Sequence, residues 1–267
     1  MRMPALFIGH GSPMYALSPN QYTQAWADIG KKIPTPSAIL MISAHWYTRG
    51  IWLTAMERPK TIHDFGGFPD ELFAMEYPAP GSPHLATQVR DLLSPHFSNI
   101  TLEEAEWGLD HGSWSVLKYM YPQANIPVVQ MSIDATLTNQ DHFLIGQHLQ
   151  SLRDENVLIL SSGNVVHNLR HIARHVDALT PLWATAFNDF FKQHLLDNDL
   201  SPLIEWQSSH PDVKMAVPTA EHYLPLIYTL GLQHKSESAT IITNGIEMSA
   251  ISMLSFGFGF GFGLSPS

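Results

Sequence analysis

Histidine is the residue type in this chain that most invites chemistry. The 267 residues include 15 histidines and no cysteine. Disulfides and thiolate metal sites are thereby excluded, and a metal would have to be held by His, Asp or Glu. Three apolar runs lead toward an imidazole. Ala5-Leu6-Phe7-Ile8 enters Gly9-His10-Gly11-Ser12-Pro13, and Ala38-Ile39-Leu40-Met41-Ile42 enters Ser43-Ala44-His45-Trp46. Val157-Leu158-Ile159-Leu160 leads through Ser161-Ser162-Gly163-Asn164 to Val165-Val166-His167. A fourth run, Ile126-Pro127-Val128-Val129-Gln130-Met131, comes after Asp110-His111-Gly112. Ligands of open α/β sheets bind outside the carboxyl ends of the strands. With these runs as neighbouring strands, His10, His45 and His167 converge on one rim. Converging neutral imidazoles are what a divalent transition metal needs.

Each candidate also has a plainer reading. His10 lies between two glycines, which permit a sharp turn and close approach of a ligand; otherwise it is an incidental residue of a tight turn. His45 ends a run that reads as fully buried, so it marks either a site or a packed rim. Asp110 is placed to orient His111 through the ring N–H; the plainer reading is a capping Asp beside a solvent histidine. Glu221-His222 opens an apolar helix, and neighbouring helical residues point about 100° apart, so only one of the two is expected to enter a metal shell. His171 and His175 are spaced for one helix face but lack the glutamate of a zincin motif. His84, His96, His142, His148, His194, His210 and His234 read as ordinary polar positions.

The elements that position these residues alternate between apolar runs and helix-like stretches, which predicts an α/β fold with a central sheet flanked by helices. Strands are expected at 4–8, 38–43, 51–56, 126–132, 157–162, 239–243 and 250–255. Helices are expected at 21–31, 84–93, 113–120, 139–154, 182–196 and 222–231, with Ser82-Pro83 and Asn139 as start signals. Residues 57–83 hold five prolines and three glycines and read as a long loop of the kind that often carries function. The loop contains His63-Asp64-Phe65 and Tyr77. Trp46, Tyr47, Phe65, Phe68, Tyr77, Trp114 and Tyr223 are the aromatic side chains available to wall a flat ligand. One domain over 1–255 is expected, followed by a frayed Phe/Gly-rich tail over 256–267.

The net charge of −10 argues against nucleic acid, because phosphate binding needs a basic face. No stretch of about 18 apolar residues is present, so no membrane span is expected. The N-terminus lacks the apolar segment of a signal peptide, which makes the cytoplasm the default compartment.

The motifs, in order, resemble the class III extradiol ring-cleaving dioxygenases, and within them the 4,5-DOPA dioxygenase extradiol branch. The matching pieces are Gly9-His10-Gly11-Ser12-Pro13, Ser43-Ala44-His45-Trp46, Thr61-Ile62-His63-Asp64-Phe65-Gly66-Gly67-Phe68-Pro69, Tyr77-Pro78-Ala79-Pro80-Gly81, Asp110-His111-Gly112-Ser113-Trp114, Gly163-Asn164-Val165-Val166-His167-Asn168 and Glu221-His222-Tyr223-Leu224-Pro225. The resemblance implies a single α/β domain around one divalent metal at the strand-end rim. It implies His10, His45 and His222 as ligands. His167 is implied either as acid/base or as a further ligand when zinc fills the site, and His111 as a second pocket imidazole. The wider superfamily uses two His and one Glu on iron, whereas the third-ligand region here reads Glu221-His222. Zinc is therefore implied as the metal bound, with Fe(II) needed for dioxygen chemistry. The implied partners are a small-molecule catechol and O2. Two other readings stand beside this one: a zinc hydrolase with Glu221 as base, and a non-catalytic metal-binding protein.

Overall fold

The near-continuous apolar runs at 38–42 and 157–160 become inner parallel strands because such strands are covered by helices on both faces. The computed structural model describes residues 2–173 and 179–260. Strands are β1 (Ala5–Gly9), β2 (Ala38–Thr48), β3 (Ile51–Thr54), β4 (Ile100–Glu103), β5 (Val128–Asp134), β6 (Val157–Gly163), β7 (Thr240–Thr243), β8 (Ile246–Glu247), β9 (Ile251–Ser252) and β10 (Ser255–Phe258). Eight of them form one mixed sheet in the order β4-β3-β5-β2-β6-β1-β10-β7, and β8 and β9 form a separate hairpin. The centre, β5-β2-β6-β1, is parallel. β10 joins β1 antiparallel, and β3 joins β5 antiparallel.

Alternate residues of the inner strands enter two cores. Leu6, Ile8, Ile39, Met41, Leu158 and Leu160 pack with Trp26 of the helix Gln21–Lys32 and with Trp114 and Leu117 of the helix His111–Met120. Phe7, Leu40, Ile42, Val129 and Ile159 pack on the other side. There they meet residues of the helices Pro83–Leu93, Asn139–Leu149, Leu182–Leu196 and Leu224–Gly231. Among the described residues no helix is long and apolar enough to cross a membrane.

Three local expectations change. The alternation that begins at Phe256 does not start a tail: Ser255–Phe258 is β10, held between β1 and β7. Phe256 packs with tilted rings against Phe7 and Phe191 and is fully buried. Residues 261–267 lie outside the described residues. β4 has no counterpart among the expected strands because its Ile-Thr-Leu-Glu is half-buried throughout and carries no strong apolar run. The helix expected from Asn139 is capped by Thr138, whose hydroxyl accepts from the Asp141 amide while Asp141 bonds back to the Thr138 amide; Asn139 is its first residue. Ser82 caps its helix as expected.

Candidate metal centre

β1 delivers His10 immediately beyond its last residue, and Gly11 follows with φ +65°, a conformation that favours glycine. His45 arrives by a different device. β2 pairs with β5 at Ile42↔Met131 and resumes at Tyr47↔Ile133, so five steps along β2 oppose two along β5. The three surplus residues leave the ladder, and an excursion of this kind re-aims a side chain. It carries His45 to the rim, where a strand ending at residue 43 was expected.

His10 and His45 meet with their Nε2 atoms 3.1 Å apart. The proton positions follow from the neighbours. Ser162 Oγ donates its one proton to the Gly112 carbonyl at 2.6 Å, so it accepts from His10 Nδ1–H at 2.8 Å. His45 Nδ1 donates to Asp64 Oδ2 at 3.1 Å. The Nε2 lone pair of His10 is thus aimed at His45 Nε2. Two nitrogens hold that separation only with an electrophile between them, either a proton on His45 or a metal cation. Two nitrogens about 2.0–2.1 Å from one tetrahedral zinc sit roughly 3.3 Å apart, so the separation of the pair is close to that of two ligands of one divalent metal.

His222 completes the group. Its ring centre lies 5.5 Å from that of His10 and 5.0 Å from that of His45. The ligand atoms of His10, His45 and His222 all fall within 4.8 Å of one another. Of the Glu221-His222 pair it is His222 that faces the other two imidazoles. The Glu221 carboxylate instead accepts from Thr219 Oγ1 at 2.7 Å and from His222 Nδ1 at 3.4 Å. Gly163 makes this approach possible: a Cβ there would collide with the His222 carbonyl. His167 stacks face to face on His222, with ring centres 3.4 Å apart and planes 6° apart. Its ligand atom groups with Glu221 and His222 rather than with His10 and His45.

His111 opens its helix with its ring centre 3.9 Å from that of His45. The expectation that Asp110 orients it is overturned. Asp110 caps the helix through Ser113 and accepts from Gln130 Nε2, so its carboxylate faces away from the ring. Asp64 takes that part, accepting from both the backbone N–H and the ring Nδ1 of His111 at 2.9 Å. The sequence assigns no role to Asp64 or Ser162. The only available signal for Asp64 was an acid beside His63 and Phe65 in a proline- and glycine-rich loop.

Burial and the neighbouring imidazoles push His10 and His222 well below the ordinary histidine range. Burial lowers His167 to about 4, against the pull of Glu221. His111 is lowered by burial and by His45, with Asp64 opposing. Burial works against charge on His45 too, but Asp64 and the other nearby carboxylates outweigh it and raise this group. Burial alone would raise Asp64, yet the hydrogen bonds from His111 and His45 hold it well below the usual carboxylate range. Asp110, fully buried, is raised.

Phe65 meets the His111 ring edge-on at 5.5 Å and packs with Phe68, Phe73 and Trp114, so the long loop does wall this side of the site. Tyr77 and Tyr223 do not: both are core residues, with hydroxyls donating to the carbonyls of Tyr121 and Leu203. A groove of about 750 Å³ lined by 57–61, Glu76 and 78–84 holds His84 but none of the histidines of the centre, and contributes nothing to it. His171 rests against Trp183, while His175 lies outside the described residues.

Comparison with known proteins agrees with this geometry. Residues 4–259 match the family described as the catalytic LigB subunit of aromatic ring-opening dioxygenase. The chain is 50% identical over 257 residues to the 4,5-DOPA dioxygenase extradiol of Escherichia coli K12, covering 95% of this chain and 94% of that one. It is 36% identical to the protein of the same name from Beta vulgaris, over 89% of this chain and 90% of that one. The crystal structure of an uncharacterised Escherichia coli K12 protein superposes with a TM-score of 0.84 at 46% identity, covering 97% of this chain and all of the other.

Proposed function

The chain belongs to the LigB family of aromatic ring-opening dioxygenases, and from that premise we propose that it opens the ring of a DOPA-like catechol with O2 by 4,5-extradiol cleavage. The observation that carries the reading is the close His10–His45 pair, with His222 completing a set of three imidazoles. These three residues would hold one divalent metal, and a donor set of imidazoles suits both zinc and Fe(II). When bound, Fe(II) supplies chelation of both catechol oxygens and activation of O2, whereas zinc has no redox chemistry. We assign zinc to the protein as isolated and Fe(II) to turnover.

The chain's own residues do the remaining work. His111, with its Nδ1 proton committed to Asp64, presents a free Nε2 lone pair that can accept a phenolic proton. His167, neutral at pH 7 because burial depresses it to about 4, is the second acid/base group. It stands on the opposite flank of the centre, against His222, and would be the fourth ligand of a zinc-filled site. Phe65 excludes water beside His111. In the overall reaction the ring C–C bond next to the diol breaks and both oxygen atoms of O2 enter the product, a muconate semialdehyde that with DOPA cyclises.

The test is anaerobic Fe(II) loading followed by a panel of catechols, with oxygen uptake and absorbance recorded together. One O2 consumed per catechol and a yellow product are expected, with no uptake by the zinc form. Turnover of esters or amides by the zinc form without oxygen would favour a hydrolase using Glu221. Metal binding with neither activity would leave a binding protein.

A further inference from the structure

We infer that Asp64 is a positioning residue that sets two imidazoles at once, the metal-facing His45 and the proton-accepting His111, through one carboxylate oxygen. Oδ2 accepts from His45 Nδ1 at 3.1 Å and from His111 Nδ1 at 2.9 Å, while Oδ1 accepts from the His111 backbone N–H at 2.9 Å. An ionised carboxylate has no proton to give. Both rings must therefore carry their proton on Nδ1 and turn the Nε2 lone pair toward the centre. A carboxylate behind a ligating histidine commonly fixes its tautomer and orientation; here the same atom does so for a second, non-ligating ring.

Asp64 is itself held by its loop. The Ile62 amide donates to Leu109 O at 2.7 Å, and Trp114 Nε1 donates to Ile62 O at 3.0 Å. The long loop thus touches both imidazoles through one carboxylate, coupling metal retention to proton transfer. This inference rests on the metal centre proposed above.

Asp64→Asn is isosteric but carries one acceptor oxygen and one NH2 donor, so it cannot accept from both rings and from the His111 backbone N–H at the same time. Zinc affinity by chelator competition is expected to fall 10–100-fold. In ¹⁵N spectra of the zinc-loaded wild type, the proton is expected on Nδ1 of both His45 and His111. At least one ring should depart from that pattern in Asp64→Asn. In the iron-loaded enzyme kcat should fall more than KM rises, and Asp64→Asn should add little once His111→Gln is present. Asp64→Glu should restore part of the affinity.

Wild-type affinity together with unchanged ¹⁵N shifts in Asp64→Asn would overturn the inference. So would an Nε2 proton on His111 in the wild type, a measurement that needs no variant. His45→Gln separates the two levels. If it binds zinc as tightly as the wild type, the metal centre itself has been misplaced and the inference falls with it. If His45→Gln loses zinc but Asp64→Asn does not, only the role of Asp64 fails.

Discussion

A single hydroxyl decides which nitrogen of His10 is free. Ser162 gives its proton to Gly112, so His10 must give its Nδ1 proton to Ser162. That leaves Nε2 for a cation, and the same logic runs through Asp64 to His45. His167 is placed differently. It lies flat against His222 and answers to Glu221 and His222 rather than to the His10–His45 pair. Replacing it should therefore separate turnover from metal content. His167→Gln is expected to lose about 10²–10⁴-fold in kcat, the usual weight of one proton-transferring group, while iron per protein stays near the wild-type value. Metal analysis alongside steady-state rates checks this; losses that run in parallel would make His167 a structural ligand. The histidines were legible because glycines and buried runs frame them. Their partners were not. Asp110 adjoins His111 in sequence, but at a helix start its side chain turns back to cap the amides. The acid that does hold His111 comes from 47 residues away. No spacing rule shows which loop will fold over which strand end.

At the scale of elements, the inner strands were readable and the edges were not. Strands buried on both faces announce themselves as unbroken apolar runs, which is why β2 and β6 stand out. β10 does not, because its glycine and its aromatic repeat read as low complexity, although Phe256 and Phe258 are both fully buried. The excursion in β2 leaves no trace in hydrophobic pattern either, yet it places His45. Close approach makes a second demand at the end of β6. Gly163→Ala would push the His222 carbonyl away and carry the ring with it. Zinc affinity is expected to fall at least tenfold, with unfolding stability lower by about 1–3 kcal/mol, the range for overpacking; chelator competition and urea unfolding read the two effects separately. The hairpin β8–β9 points the other way. Met248 and Ser249 sit at φ +47° and +65°, and the buried Ser249 hydroxyl has no partner among the described residues. Ser249→Gly relieves left-handed strain of about 1–2 kcal/mol and removes an unpaired polar group, against a chain-entropy cost of about 0.5–1 kcal/mol. A gain of about 1 kcal/mol is expected from a urea midpoint at constant m. A drop in the midpoint would reveal that the hydroxyl has a partner in solution.

The whole molecule brings its charge and its many histidines to bear. A net charge of −10 repels anionic substrates unless a cation waits at the site. Lys118 is not available for that duty, since its ammonium donates to the Ala16 carbonyl at 2.7 Å, and Arg49 is exposed on the turn after β2. DOPA carries no net charge and needs no basic funnel. The iron-loaded enzyme should therefore show higher kcat/KM for DOPA, or for a neutral catechol, than for protocatechuate. A clear preference for the carboxylated ring would reassign the substrate while leaving ring cleavage intact.

Acid should unfold the protein partly through a buried histidine outside the candidate metal centre. His142 is buried against Tyr228, with Nδ1 2.7 Å from the phenol oxygen, and burial lowers it to about 4. The unfolded chain takes up this proton near the ordinary value of about 6.5, while the folded chain resists until about pH 4. Stability from this group is therefore fully present above about pH 6.5 and is lost as pH falls toward 4. The slope vanishes below that, where both states are protonated. At pH 4.5 the loss amounts to about 2–3 kcal/mol, taking 1.36 kcal/mol per pKa unit. His142→Gln keeps an acceptor for the Tyr228 hydroxyl but cannot titrate. Its unfolding free energy should fall by about 2–3 kcal/mol less than that of the wild type between pH 7 and pH 4.5. Urea unfolding of both metal-free proteins across this range measures the difference. Parallel pH profiles would mean that His142 titrates in the folded protein as it does in the unfolded chain.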